Sequence, residues 1–212
     1  MMAKRAMTEE AKSAKAQLIL DKAKEMFLDS DYEKIKMADI AKAIGISNGI
    51  LFVYFKTKET LFIHLLWREY ENRFIRLKEM AQSEKLESYG DIKKLLLTEL
   101  DFLVDNNPLY IRLNSIRTLI LEKNTDAETL HDMKKGLAEQ VSELTSIISS
   151  SGILTQEQIS DILLKEEAII IGCYIEILTQ LEFESFRRDF KREVLDTIGS
   201  YLDGFRYKAL KS

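Results

Sequence analysis

The chain has 212 residues, 46% of them hydrophobic and 31% charged, and a formal net charge of -4. One Pro and eight Gly are few breakers for that length, which points to a chain that is nearly all helix. Cys173, the single cysteine, excludes a disulfide framework within the chain; two histidines leave too few ligands for a Cys/His zinc site; and the longest apolar run, Ala168 to Ile175, falls far short of a membrane span.

In chain order, the basic start around Lys4 and Arg5 leads into Thr8-Glu9-Glu10 and not into an apolar core. That is no signal-peptide pattern, and the cytoplasm is the simplest address. Thr8 is a good N-cap for a first helix running to Asp29, with Ile19, Ala23, Met26 and Phe27 on one face. Ser30-Asp31-Tyr32 reads as a break. Two short helices follow, over about 37–44 and 47–55, with Gly45-Ile46-Ser47 between them. A Gly-containing turn between short helices is the pattern of a helix-turn-helix. Gly45 can close the first helix and Ser47 can cap the second. Ile40, Ala41, Ile44, Ile46, Leu51 and Phe55 supply a small core.

Thr57 caps a long helix over about 58–82 that carries Leu61, Leu65, Tyr70, Phe74 and Leu77. A helix over about 91–104 comes next. Asn107-Pro108 then signals another start, with Pro at the first helical position. Thr125-x-x-Glu128 and Thr155-x-x-Gln158 fit the capping box and open helices over about 126–149 and 156–180. Ser151-Gly152 separates these two. A last helix over about 184–207 presents Phe183, Phe186, Phe190, Val194, Ile198, Tyr201 and Phe205. Ala168 to Ile175 is apolar on every face, and a helix of that kind must be buried all round. Together with Leu195 and Leu202 of the last helix, this run reads as a homodimer interface formed by about 156–180 and 184–207.

Ile40-Ala41-Lys42-Ala43-Ile44-Gly45-Ile46-Ser47-Asn48-Gly49-Ile50-Leu51-Phe52-Val53-Tyr54-Phe55-Lys56-Thr57-Lys58-Glu59-Thr60-Leu61-Phe62 resembles the DNA-binding domain of the tetracycline-repressor (TetR) family of bacterial transcription regulators. Upstream, Ile19-Leu20, Ala23 and Phe27 fit as well. The resemblance implies an all-α protein of about nine helices. Residues 1–56 would form the three-helix DNA-binding domain, and 57–212 a helical ligand-binding and dimerisation domain. It implies a ligand-responsive regulator, a repressor by family default, that binds a palindromic operator in double-stranded DNA as a dimer. No cofactor is expected.

A helix-turn-helix places the start of its second helix nearest the bases. Those residues are Ser47, Asn48, Gly49 and Ile50. Asn48 can pair with adenine, and Gly49 admits close approach. Phe52 stands at the family's usual tyrosine position. Tyr54, Lys56 and Lys58 are phosphate candidates. Lys36 stands near the usual Thr/Ser cap of the second helix, so a charge replaces a hydroxyl. Ile50 stands for the common Thr and Val53 for the common His, which leaves the operator sequence open. Lys4, Arg5, Lys12 and Lys15 form a basic N-terminal stretch. Residues 1–59 hold eleven Lys or Arg against nine Asp or Glu, and the rest twenty against twenty-six, so the excess of positive charge is local.

For the effector pocket that the resemblance implies, the candidates are the aromatic residues Trp67, Tyr70, Phe74, Phe102, Tyr110 and Tyr174, with Arg112, Asn114 and Arg117 as polar anchors. Glu176 lies in an apolar context that would suit a cation. The helix over 58–82 continues from the motif and would carry the effector's signal to it. Two rival readings stand beside this one. An enzyme finds no phosphate loop, dinucleotide fingerprint, metal-binding helix or nucleophile elbow, and Cys173 sits in an apolar run. A helical interaction module would use the same helix-turn-helix against protein.

Overall fold

The computed structural model describes residues 8–180 and 189–209, which form nine α-helices and no strand. The N-terminal cations Lys4 and Arg5, and Phe183 and Phe186, lie outside the described residues. The described residues divide into two compact units. The first comprises residues 8–68 and Ile116–Leu130; the second comprises Glu69–Ser115 with residues 131–180 and 189–209.

In the first unit, α1 (Glu9–Asp29) starts where Thr8 accepts a hydrogen bond from the Ala11 amide at 3.2 Å. It buries Ile19, Leu20, Ala23 and Phe27. A 3-10 turn, Tyr32–Lys34, leads to α2 (Met37–Ala43) and α3 (Asn48–Tyr54). The start of α4 (Lys58–Ser83) completes the core. Phe62 takes the Phe27 ring at 5.4 Å and the Tyr32 ring edge-on at 5.2 Å. Full burial of side chains such as Ile19, Ile40, Leu51 and Leu61 contributes roughly 1.5–3 kcal/mol each.

The second unit holds the rest of α4 together with α5 (Tyr89–Asn106), α6 (Pro108–Ile116), α7 (Ala127–Ser149), α8 (Gln156–Gln180) and α9 (Phe190–Ala209). The α9 helix packs on both α5 and α8. Its buried residues are Val194, Ile198 and Leu202, and the Tyr89 hydroxyl donates to the Leu202 carbonyl at 2.7 Å. Asn107 caps α6 by accepting from the Tyr110 amide at 3.1 Å. Thr155 and Gln158 form the reciprocal cap of α8, at 3.2 and 2.9 Å.

Two local expectations are corrected. Helix α5 starts at Tyr89, because Ser88 and Asp91 form a capping box ahead of the expected start. Thr125 does not cap α7. Its hydroxyl turns back to the Leu121 carbonyl at 2.8 Å, and Asp126 accepts from the Thr129 amide at 3.0 Å instead. Between α6 and α7 the chain makes a π-helical turn, Arg117–Leu121, and a 3-10 turn, Glu122–Asn124. The described part of α9 begins at Phe190, with Asp189 accepting from the Lys191 amide at 3.0 Å. No single helix among the described residues is long and apolar enough to cross a membrane.

Candidate functional site

In the first unit the axes of α2 and α3 turn through 107°, within the range of a helix-turn-helix. The turn follows from three backbone hydrogen bonds. Ile44 donates to Ile40 (3.3 Å), Gly45 to Lys42 (3.2 Å) and Ile46 to Ala41 (3.0 Å). The last two form a Schellman motif, which needs a left-handed residue, and Gly45 supplies it at φ +69°. Ser47 then caps α3, its Oγ accepting from the Ile50 amide at 3.3 Å. Leu51 and Phe55 face inward at 0% and 4% exposure, which turns Asn48, Gly49, Ile50, Phe52 and Val53 outward. Tyr54 is half-buried and close enough to Lys12 for the two to interact.

The cations sort into two groups. Lys36 is the N-cap of α2, is exposed and makes no side-chain capping bond. Lys56 is exposed just after α3. Lys58 behaves differently. Its ammonium donates to the Tyr32 carbonyl and sits 3.8 Å from the centre of the Tyr32 ring. Burial lowers its pKa, with Glu59 working in the other direction. Lys58 thus fastens the start of α4 to the preceding turn, and the Tyr32 hydroxyl donates to Glu59 beside it at 3.1 Å.

The second unit contains a cavity of about 470 Å³. Its walls come from α4, α6, α7 and α8. Three of the sequence candidates line it: Tyr70, Phe74 and Tyr110. Leu77, Leu137, Val141, Leu163 and Leu164 make the apolar wall. Asn114 stands behind it, with Oδ1 accepting from the Tyr70 hydroxyl at 2.6 Å; that hydroxyl also lies 3.0 Å from Glu167 Oε2. The other candidates lie elsewhere. Trp67 and Arg117 belong to the first unit, where Arg117 reaches Glu122 at 3.5 Å. Phe102 is 45% exposed under the Arg76 guanidinium. Tyr174 meets Phe190 edge-on at 5.9 Å and feels the charge of Arg112.

Sequence reasoning missed the buried charged cluster that reaches this cavity through Arg73. Arg73 lines the wall and donates from Nε to Glu99 at 3.1 Å, from Nη1 to the Tyr110 hydroxyl at 3.1 Å, and from Nη2 to Glu166. Arg76 shares Glu99 at 3.1 Å. Both glutamates are 1% exposed. Burial opposes the Arg73 charge, yet Glu166 and Glu99 outweigh it and hold the guanidinium firmly protonated. Burial raises the Glu166 carboxyl against the pull of Arg73, and pushes the Tyr110 phenol up to about 12. A signal for the cluster was present in the sequence. Arg73, Glu99 and Glu166 each occupy a position on the apolar face of their own helix, where a charge persists only if it is paired.

Two family models match the chain. Residues 19–65 match "Bacterial regulatory proteins, tetR family", and residues 96–209, more than half of the chain, match "Tetracyclin repressor-like, C-terminal domain". The chain is 30% identical over 120 residues to the fatty acid metabolism regulator protein of Bacillus subtilis, a stretch covering 50% of this chain and 61% of that one. It is 26% identical to the transcriptional repressor Rv1474c of Mycobacterium tuberculosis over 172 residues, 81% and 82% of the two chains. Among solved structures, FadR of Bacillus subtilis in complex with stearoyl-CoA aligns at a TM-score of 0.51 and 18% identity, over 88% of this chain and 96% of that one.

Proposed function

The chain belongs to the tetracycline-repressor family of ligand-responsive, DNA-binding transcription regulators, and from that premise we propose how its residues divide the work. The outward face of α3 reads the operator: Asn48 and Ile50 approach base edges, Gly49 admits the backbone, and Phe52 and Tyr54 flank them. Ser47 positions that helix through its cap. Lys36 and Lys56 neutralise phosphates, and Lys58 holds the frame. The observation that carries this reading is the outward face of α3 itself. Leu51 anchors the helix in the core, while Asn48, Gly49, Ile50, Phe52 and Val53 stay exposed along one surface.

The active form is a homodimer on double-stranded operator DNA in the cytoplasm, and α8 supplies the main contact. Leu164, Ile175 and Leu178 are 69%, 47% and 46% exposed, on one stripe with Ala168 and Gly172. Leu202 of α9 is 1% exposed within its own subunit, so the unpartnered apolar surface belongs to α8.

The effector is an amphiphile held in the second-unit cavity, with its apolar body along Phe74, Leu137 and Val141. The wall carries Arg73 and Lys134 against Glu157 and Glu167, and behind it Glu99 and Glu166 balance Arg73 and Arg76. A wall with its charges balanced suits a neutral hydrogen-bonding group, such as a thioester carbonyl, better than a free carboxylate. Similarity to a regulator of fatty acid metabolism, together with the stearoyl-CoA bound by FadR of Bacillus subtilis, supports a fatty acyl thioester as the class. Binding favours a spacing of the two α3 helices away from one turn of DNA, about 34–36 Å, and so releases the operator. A coupling of about 1–3 kcal/mol, or about 5–150-fold, is typical. The α4 helix belongs to both units and carries the change.

A mobility shift on DNA from upstream of the protein's own gene, with excess nonspecific competitor, tests this reading. A specific complex that is lost in Asn48→Ala, and released by stearoyl-CoA but not by stearate, is the expected result. Equal release by both ligands would overturn the thioester assignment. No specific complex would overturn operator reading by α3.

A further inference from the structure

We infer that the base pairs covered by α3 are A·T pairs, recognised through thymine methyl groups by Ile50 and Val53 and through adenine by Asn48; this rests on the operator-reading role proposed above for α3.

The seven residues of α3 contain no Lys, Arg, Asp or Glu. Three of them are large apolar side chains turned to solvent: Ile50 at 47%, Phe52 at 42% and Val53 at 82% exposure. Leu51, between them, is fully buried and anchors the helix, which leaves Val53 almost wholly and Ile50 about half in solvent.

The chemistry of the major groove then decides what such a face can read. A G·C pair offers guanine N7 and O6 as acceptors and cytosine N4 as a donor; it is read best by Arg or Lys on guanine and by Glu or Asp on cytosine. None of these residues stands on α3. A G·C pair set against Ile50 or Val53 would lose water from polar edges and gain no partner, which is unfavourable. A T·A pair presents a methyl group that the same side chains cover with gain. Asn48, at the first position of α3, fits the N6/N7 edge of adenine. Attraction and exclusion therefore favour the same base pairs.

The test is selection of duplexes from a randomised library by the full-length protein, followed by replacement of each thymine in the enriched half-sites with deoxyuridine, which lacks only the methyl group. The expected result is A·T pairs at the positions α3 covers. Each contacted thymine should cost roughly four-fold in affinity when replaced, the equivalent of one buried methyl group. Ile50→Ala should abolish that penalty at one position per half-site. Because Ile50 is exposed, the variant should melt like the wild type, which separates loss of contact from loss of fold. Ile50→Arg should draw G·C pairs into the enriched set.

Enriched half-sites with G·C pairs at the Ile50-sensitive positions, or deoxyuridine duplexes bound as well as thymidine ones, would overturn the inference while leaving operator binding by α3 intact. Failure to enrich any sequence would overturn both.

Discussion

At Gly49 there is room for a side chain: a Cβ built there meets only Ser47 Oγ, at 4.0 Å, and the backbone is ordinary helix. Inside a helix Gly costs about 0.5–1 kcal/mol relative to Ala. The protein bears that cost where nothing internal requires it, which agrees with a close approach from outside. Gly49→Ala should raise stability in urea by about that amount and weaken operator binding, a pairing that a purely structural role does not give. Lys36 shows the same trade in a different form. As an N-cap without a capping bond, it should give way to Ser with a gain of about 1 kcal/mol in stability. If Lys36 neutralises a phosphate, Lys36→Ser should also flatten the plot of log affinity against log salt by about one per subunit. His64 sets a pH dependence. Burial holds its imidazole below the usual value near 6.5, while Asp126 pulls the other way. As pH falls through 6.5 the unfolded chain takes up the proton before the folded one does, so stability is lost toward acid. His64→Phe keeps an aromatic ring against Phe55, 5.4 Å away in the native protein. Urea melts at pH 7.5 and 5.5 should differ less for this variant than for the wild type.

Whole helices carry their own signals, and these show what could be read ahead of the structure. The Gly45 turn, the Ser47 and Thr155 caps and the Asn107-Pro108 start were legible because each rests on a bond between residues three to five apart. Thr125 misled because Asp126, one residue on, competes for the same cap and accepts better. The turns over Arg117–Asn124 carry no Gly or Pro to announce them. On α4, the buried face was legible from its 3–4 spacing, so Tyr70 and Phe74 fell on the cavity wall. Phe102 did not, because the periodicity of α5 does not say which neighbour meets a side chain at the edge of its face. The Arg73 cluster is the strongest case: each charge is visible as an intruder on an apolar face, but their pairing across α4, α5 and α8 is tertiary. Arg73→Met should cost about 3–5 kcal/mol in urea unfolding, since Glu99 and Glu166 would be left buried without their shared cation.

For the molecule as a whole, the proposed dimer and the local excess of cations should govern affinity. Ile175→Glu puts a charge on the exposed apolar stripe of α8. It should shift sedimentation from dimer to monomer and weaken operator binding without changing the helical content of the subunit. A dimer that neutralises about six to ten phosphates should show a log–log salt slope of roughly -5 to -9. The most direct test of operator reading by α3 is a fluorescence titration of the intact protein at physiological salt. It compares a duplex from upstream of its own gene with a scrambled duplex of equal length and composition. A preference of about a thousand-fold or more, typical of specific over nonspecific binding, that collapses in Asn48→Ala is the predicted result. Equal affinity for the two duplexes, or a preference that survives Asn48→Ala unchanged, would contradict it.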